Sequence, residues 1–285
     1  MRGGLAAFLA LLLFLGAGQT AAEDPPILVR RAPTEGARDP GASLWKSISP
    51  TRIPLKGQDV APPYGGGAVA AVDVRAIHDG KAAIFLLAWA DPTKDAAGAE
   101  LGSFRDAGAV MFPLVADDPP GPHMGHRYLG DRNAVVNIWR YRADTDAAED
   151  LNAAGIGTLL TQDRQDVSAR GRHDGRGWRV AFWRRLRTDD EWDAQFRPGL
   201  RTWLNVVVWD GSRGERAGQK SVSDRWHRVI FEARERRRGI PRQPGRGNSR
   251  MDMPVQDTVR SIQNRFGAMT RRSERWKRAH TRIPM

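Results

Sequence analysis

The sequence predicts an all-β protein: an antiparallel β-sandwich with long ligand-bearing loops, followed by a basic, partly helical or disordered C-terminal tail. Three observations carry that prediction. Short segments alternate apolar and polar residues with the period of two that a half-buried strand requires. Asp-Gly pairs, which suit tight turns, punctuate the chain at 79–80, 174–175 and 210–211. Helical periodicity stays weak until the tail.

Residues 1–22 read as an address. Arg2 precedes an apolar run over 5–15, and Thr20-Ala21-Ala22 offers small residues for cleavage. The run is shorter than the ~20 residues a membrane span needs, so a cleaved signal peptide is expected. Arg30-Arg31 follows that run and is therefore no twin-arginine signal. The bacterial character of the signal predicts the periplasm. Residues 23–42 are rich in Pro, Arg, Gly and Asp and predict an irregular arm.

Residues 43–231 form the expected sandwich domain. Over 68–77, Val72 and Val74 share one face, with Asp73 and Arg75 opposite. The 81–89 segment returns as a buried strand after the Asp79-Gly80 turn. Further strands are expected over 107–115, 134–141 and 178–186. The 202–209 segment (TWLNVVVW) is apolar on both faces, as a central strand should be. A last strand over 226–231 gives seven or more in all. The loops at 91–104 and 117–132 are long for hairpins, a length usual in functional loops.

The 285-residue chain carries a net charge of +12 and no cysteine. The charge is concentrated: residues 232–285 carry fifteen Lys and Arg against five Asp and Glu. A near-neutral body thus bears a cationic extension, suited to an acidic partner or an anionic membrane surface. An exported chain meets no nucleic acid. Absence of cysteine excludes a disulfide scaffold, an iron–sulfur cluster, a cysteine zinc site and covalent c-type haem.

The sequence has no GxSxG, HExxH, P-loop or GxGxxG-before-helix pattern, so autonomous catalysis has no visible basis. His78 and His173 precede Asp-Gly turns and read as polar loop residues. His123 and His126 form a His-x-x-His pair without a third metal ligand nearby. The acids are scattered, and the sequence pairs none of them. Two residues stand out. Met124 lies in a polar, Gly/Pro-rich loop, where a thioether is either a cover for the core edge or a soft neutral iron ligand. Lys220 follows the most buried strand in a chain whose default cation is arginine: six lysines against thirty-nine arginines. Lysine loses its proton when desolvated and arginine does not.

Several segments, taken in order, resemble the haem-binding gamma subunit of ethylbenzene dehydrogenase and of its relatives, the dimethylsulfide dehydrogenase and the selenate, chlorate and perchlorate reductases. They are VDVRAIHDGKAAIFLLAWAD at 72–91, FRDAGAVMFP at 104–113, HMG at 123–125, VNIW at 136–139, GIGT at 155–158, GWRVAFWRRL at 177–186 and VWDGSRGERAGQKSV at 208–222, followed by Trp226. The resemblance implies a β-sandwich holding one non-covalent haem b, with iron ligated by Met124 and Lys220. His123 and His126 are the weaker alternatives. It also implies single-electron transfer between a molybdenum-containing catalytic subunit with its iron–sulfur subunit and a soluble c-type cytochrome. The chain would not be catalytic alone. The extension after 233 departs from the family's shorter pattern. Two other readings stay open: a haem-free sandwich module binding another ligand or a protein, and a haem sensor or delivery protein.

Overall fold

A computed structural model describes residues 25–96, 102–115, 135–155 and 157–233. Among them are fourteen strands and no helix long and apolar enough to cross a membrane. The first five are β1 (Ile27–Arg31), β2 (Thr51–Pro54), β3 (Lys56–Gly57), β4 (Ala71–His78) and β5 (Ala82–Ala90). The next five are β6 (Ala107–Pro113), β7 (Val136–Arg142), β8 (Ala147–Ala153), β9 (Leu160–Thr161) and β10 (Ser168–His173). The last four are β11 (Gly177–Arg185), β12 (Arg201–Trp209), β13 (Ser221–Val222) and β14 (His227–Phe231).

One layer runs β10-β11-β5-β4-β1-β14, and the other β12-β6-β7-β8-β9. The corner is β12. Its first half, Arg201–Leu204, pairs with β14, and its second half, from Asn205 to Trp209, pairs with β6. Almost every pairing is antiparallel, as expected. The exception is β1, which lies parallel to both β4 and β14.

The arm expected to be irregular thus contributes an interior strand. Ile27 and Val29 point inward and are buried, while Leu28, Arg30 and Arg31 are exposed. Two inward residues between Pro25-Pro26 and an arginine pair are too few to announce a strand. The expected strands over 68–77, 81–89, 107–115, 134–141, 178–186, 202–209 and 226–231 all form, with ends shifted by up to three residues.

Between the layers lies an aromatic nucleus. Phe112 of β6 packs at 5.1 Å from Phe85 of β5 and 4.9 Å from Trp139 of β7. Phe196 stacks on Phe231 of β14 at 5.1 Å. These tilted and offset contacts suit the ring quadrupoles. A second apolar cluster forms on the outer face of the second layer, from Ala109, Met111, Ile138, Leu151, Ala153 and Val207. A sheet with one solvent face would carry polar residues there. An apolar outer face calls for a cover, and it positions the site.

Candidate functional site

The outer face of the second layer is the floor of a cavity of about 620 Å³. Strand alternation sends Val206 and Val208 of β12 into the core and Val207 to the floor. In the same way β7 sends Trp139 inward and gives Ile138 and Arg140 to the cavity. Two loops wall it, one over 58–67 and one over 211–220.

Lys220 is on that wall. Its backbone is fixed on both sides: its N–H donates to Gly65 O at 3.1 Å, and its carbonyl accepts from Gln58 N at 3.1 Å. The buried Gln58 side chain staples the two loops, donating to Ala61 O at 2.7 Å and Gly218 O at 3.2 Å. The Lys220 amine lies 5.4 Å from the centre of the Trp209 ring. The residue as a whole keeps some exposed surface. Even so, burial of its amine, then the positive charge of Arg140, push its pKa down to about 8. Among the described residues no carboxylate offsets that cost. A lysine so placed is ready to present a neutral nitrogen.

Gly66 makes this seat possible. Its φ is +89°, and a Cβ there would run into the backbone of Lys220. Gly66→Ala is therefore expected to cost about 2 kcal/mol or more, from the strained φ and the collision together. Denaturant unfolding would measure it, and a loss below about 0.5 kcal/mol would mean the loop shifts freely.

The rim is cationic. Arg142 pairs with Asp144 at 2.7 Å and with Glu149 at 2.9 Å, while Arg105 shares Asp144 at 2.7 Å. Arg140 is held by Glu149. Arg216 lies over the Phe104 ring at 4.5 Å with no carboxylate partner among the described residues. Among the residues lining the cavity, six Lys and Arg stand against Asp59, Glu215 and Asp224.

Met124, His123 and His126 lie outside the described residues, as do the signal segment and the tail beyond 233. The connection that carries Met124 leaves β6 at Pro113 and rejoins the sheet at Val136 of β7. Those residues pair with each other at one end of the floor. Lys220 stands at the other end, beside Trp209, whose partner is Ala107. The loops of Met124 and Lys220 therefore spring from opposite ends of the floor. For both side chains to reach one ligand, the 114–135 connection must return along the floor.

His78 is buried, with Nε2 3.0 Å from Glu232 O, and His173 packs on Trp178 with Nε2 2.9 Å from Asp91 O. Both are structural. Sequence reasoning missed a different group, Asp91, Asp106 and Asp210. All three are buried, and one carboxylate oxygen of each lies within 4.8 Å of the others, an arrangement able to hold a metal ion. Burial raises the pKa of Asp91, and that of Asp106 to about 6. The one available signal was that each acid sits just outside a strand end: after β5, before β6 and after β12.

A profile of the ethylbenzene dehydrogenase family matches residues 42–159 and 154–221. The chlorate reductase subunit gamma of Ideonella dechloratans is 29% identical over 235 residues, covering 80% of this chain and 95% of that protein. A Haloferax mediterranei protein with the provisional name respiratory nitrate reductase heme subunit is 29% identical over 191 residues, 67% of either chain. The dimethylsulfide dehydrogenase subunit gamma of Rhodovulum sulfidophilum is 32% identical over 146 residues, 49% of this chain and 52% of that one. Among solved structures, a family 9 carbohydrate binding module from Caldicellulosiruptor kristjanssonii in complex with glucose has a TM-score of 0.43 at 12% identity. It covers 73% of this chain and 96% of that one, a likeness too slight to bear on ligand or chemistry.

Proposed function

The chain belongs to the ethylbenzene dehydrogenase family, and on that premise we propose that it is a non-catalytic accessory subunit that binds one haem b in the cavity beside Lys220. It passes single electrons between a molybdenum-containing catalytic subunit, with its iron–sulfur subunit, and a soluble c-type cytochrome. The compartment is the periplasm.

The observation that carries this reading is a rigidly seated lysine whose amine is desolvated over an apolar floor and has no acceptor among the described residues. The residues fit a haem on three further counts. The cavity falls within the ~300–1,000 Å³ usual for cofactors. The floor is aliphatic and excludes water, and the arginine rim favours the carboxylates of a porphyrin. A bound haem supplies reversible one-electron chemistry at iron. Lys220 would hold the haem through its nitrogen and Met124 through its sulfur, so the iron would serve electron transfer and not substrate binding. Relatives whose names speak of gamma and heme subunits support the same role.

A second reading keeps the cavity and gives it another small ligand, with no iron. The opposite origins of the Met124 and Lys220 loops favour it. The absorption spectrum of the full chain, purified from haem-replete cells, separates the two. We expect a six-coordinate, low-spin haem that is reduced and reoxidised reversibly. A spectrum with the protein band alone, after haem has also been added in vitro, leaves the second reading standing.

A further inference from the structure

We propose that Asp91, Asp106 and Asp210 hold a calcium ion that ties the two layers together behind the cavity. This inference does not depend on haem.

The three acids come from distant parts of the chain. Asp91 follows β5 in the first layer, whereas Asp106 precedes β6 and Asp210 follows β12 in the second. Their relative exposures are 0%, 0% and 6%. Buried carboxylates normally have a cation or a full set of donors. The charges that Asp91 feels most are those of Asp210, which opposes ionisation, and His173; for Asp106 the charge is that of Asp91. Neither lysine nor arginine is among them.

The hydrogen bonds leave capacity over. Asp91 Oδ1 accepts from Thr93 N at 3.0 Å and from Thr93 Oγ1 at 2.9 Å. Asp91 Oδ2 is fully enclosed and has no partner. That orphan oxygen is the part of the carboxylate free to face Asp106 and Asp210. Asp106 Oδ1 accepts only from Gly211 N, at 2.8 Å, and retains a lone pair. Asp210 Oδ1 takes Ser212 Oγ at 2.7 Å and Arg213 N at 3.2 Å.

A fourth acid stands beside them. Asp95 bonds Asp106 twice, donating from its N–H to Asp106 Oδ2 at 2.7 Å and accepting from Asp106 N at 2.8 Å. Its Cβ lies 2.9 Å from where a Cβ at Gly211 would be, and its Oδ2 is a second buried oxygen without a partner. The Phe104 carbonyl also crowds Gly211. A glycine at 211 thus lets acids and a carbonyl converge where any side chain would intrude.

The donor set selects the ion. Every candidate ligand is oxygen, which suits hard cations and not zinc or copper. Oxygens about 2.4 Å from a common calcium ion lie no more than about 4.8 Å apart, and the three carboxylate oxygens fall within that limit. Magnesium demands a tighter octahedron and keeps its waters, which a group this buried has little room to admit.

The ion would also steady the cavity wall. Asp210 opens the loop that ends at Lys220; its N–H donates to Glu215 Oε2 at 3.0 Å, and Glu215 Oε1 accepts from Ala68 N at 2.9 Å. Asp106 adjoins Arg105 and Ala107, which line the cavity.

The test is thermal unfolding of the full chain, stripped with a chelator and then titrated with calcium or magnesium, alongside equilibrium dialysis with radioactive calcium. We expect Tm to rise by about 5–10 °C at a hundredfold excess over Kd for calcium, and much less for magnesium. Dialysis should give one bound ion. Asp91→Asn should lose the binding and the calcium response, while its chelated Tm stays equal to or above that of the chelated wild type, because a buried negative charge has gone. If that variant does not fold, Asp210→Asn, at the least buried of the three positions, should weaken calcium binding at least tenfold. Equal Tm values with calcium and chelator and no bound ion would overturn the proposal, as would undiminished calcium binding in the variants.

Discussion

Replacing Arg184 by leucine is expected to cost about 3–5 kcal/mol. Arg184 lies on β11 with a relative exposure of 2%. Its Nη1 pairs with Asp193 Oδ1 at 2.7 Å and donates to Asn137 Oδ1 at 2.9 Å; Nη2 donates to Ala194 O. The guanidinium lies over the Trp139 ring at 4.8 Å and the Phe196 ring at 5.5 Å. Its charge therefore compensates both Asp193 and the fully buried Asp150. Leucine fills part of the volume and leaves two acids without a counter-charge. Against a typical stability of about 5–15 kcal/mol, such a loss leaves little in reserve.

The loss should deepen with pH. Burial, then the charge of Asp193, already push the Asp150 pKa up to about 7 in the native protein. An unfolded aspartate titrates near 3.9. The folded chain therefore holds the extra proton between those values, and stability falls as pH rises from about 4 through 7. Without Arg184 the Asp150 carboxyl loses the positive charge that favours its ionisation, so the fall continues to higher pH. Urea midpoints at pH 5 and pH 8 would measure this, with Arg185→Leu, on the exposed face, as the neutral control. A loss under about 1 kcal/mol at pH 8 would contradict the assignment.

Arg184 also marks the limit of what the sequence discloses. In the run Trp183-Arg184-Arg185, nothing local distinguishes the arginine that enters the core from the one that leaves it. The strands that were legible carry their own apolar signal, as β5 and β12 do. Strand β8 was not legible, because Asp150 and Asn152 face inward. They are tolerated there through partners on β7 and in distant loops, Asn137, Gln162 and Trp192 among them. The cavity floor was hidden for a related reason. Val207 and its neighbours Val206 and Val208 are the same letter, yet one floors the cavity and two fill the core. Lys220 was legible because arginine is the rule in this chain. The aspartate group was not, because strand pairing alone brings positions 91, 106 and 210 together.

Lys220→Arg is the substitution that separates a ligand from a charge. Arginine keeps the cation and most of the length, and the Gly65 and Gln58 backbone contacts that seat residue 220 do not involve its side chain. If Lys220 merely attracts anions into the cavity, arginine should serve as well and the spectrum should not change. A guanidinium has no lone pair to give a metal and keeps its proton. On the ligand reading, Lys220→Arg therefore abolishes the low-spin spectrum of the full chain, or the haem itself, as completely as Lys220→Ala does. Lys220→Met offers a neutral thioether from the same position and should restore six-coordination with a shifted absorption maximum and potential. Met124→Ala should also lose the low-spin state, because Lys220 alone would be left to hold the iron. Absorption and redox titration of the four variants read these outcomes directly. Two quite different losses, of a sulfur at 124 and of a deprotonatable nitrogen at 220, must then give one spectroscopic result, which a cavity that recognises its ligand by charge and shape cannot reproduce.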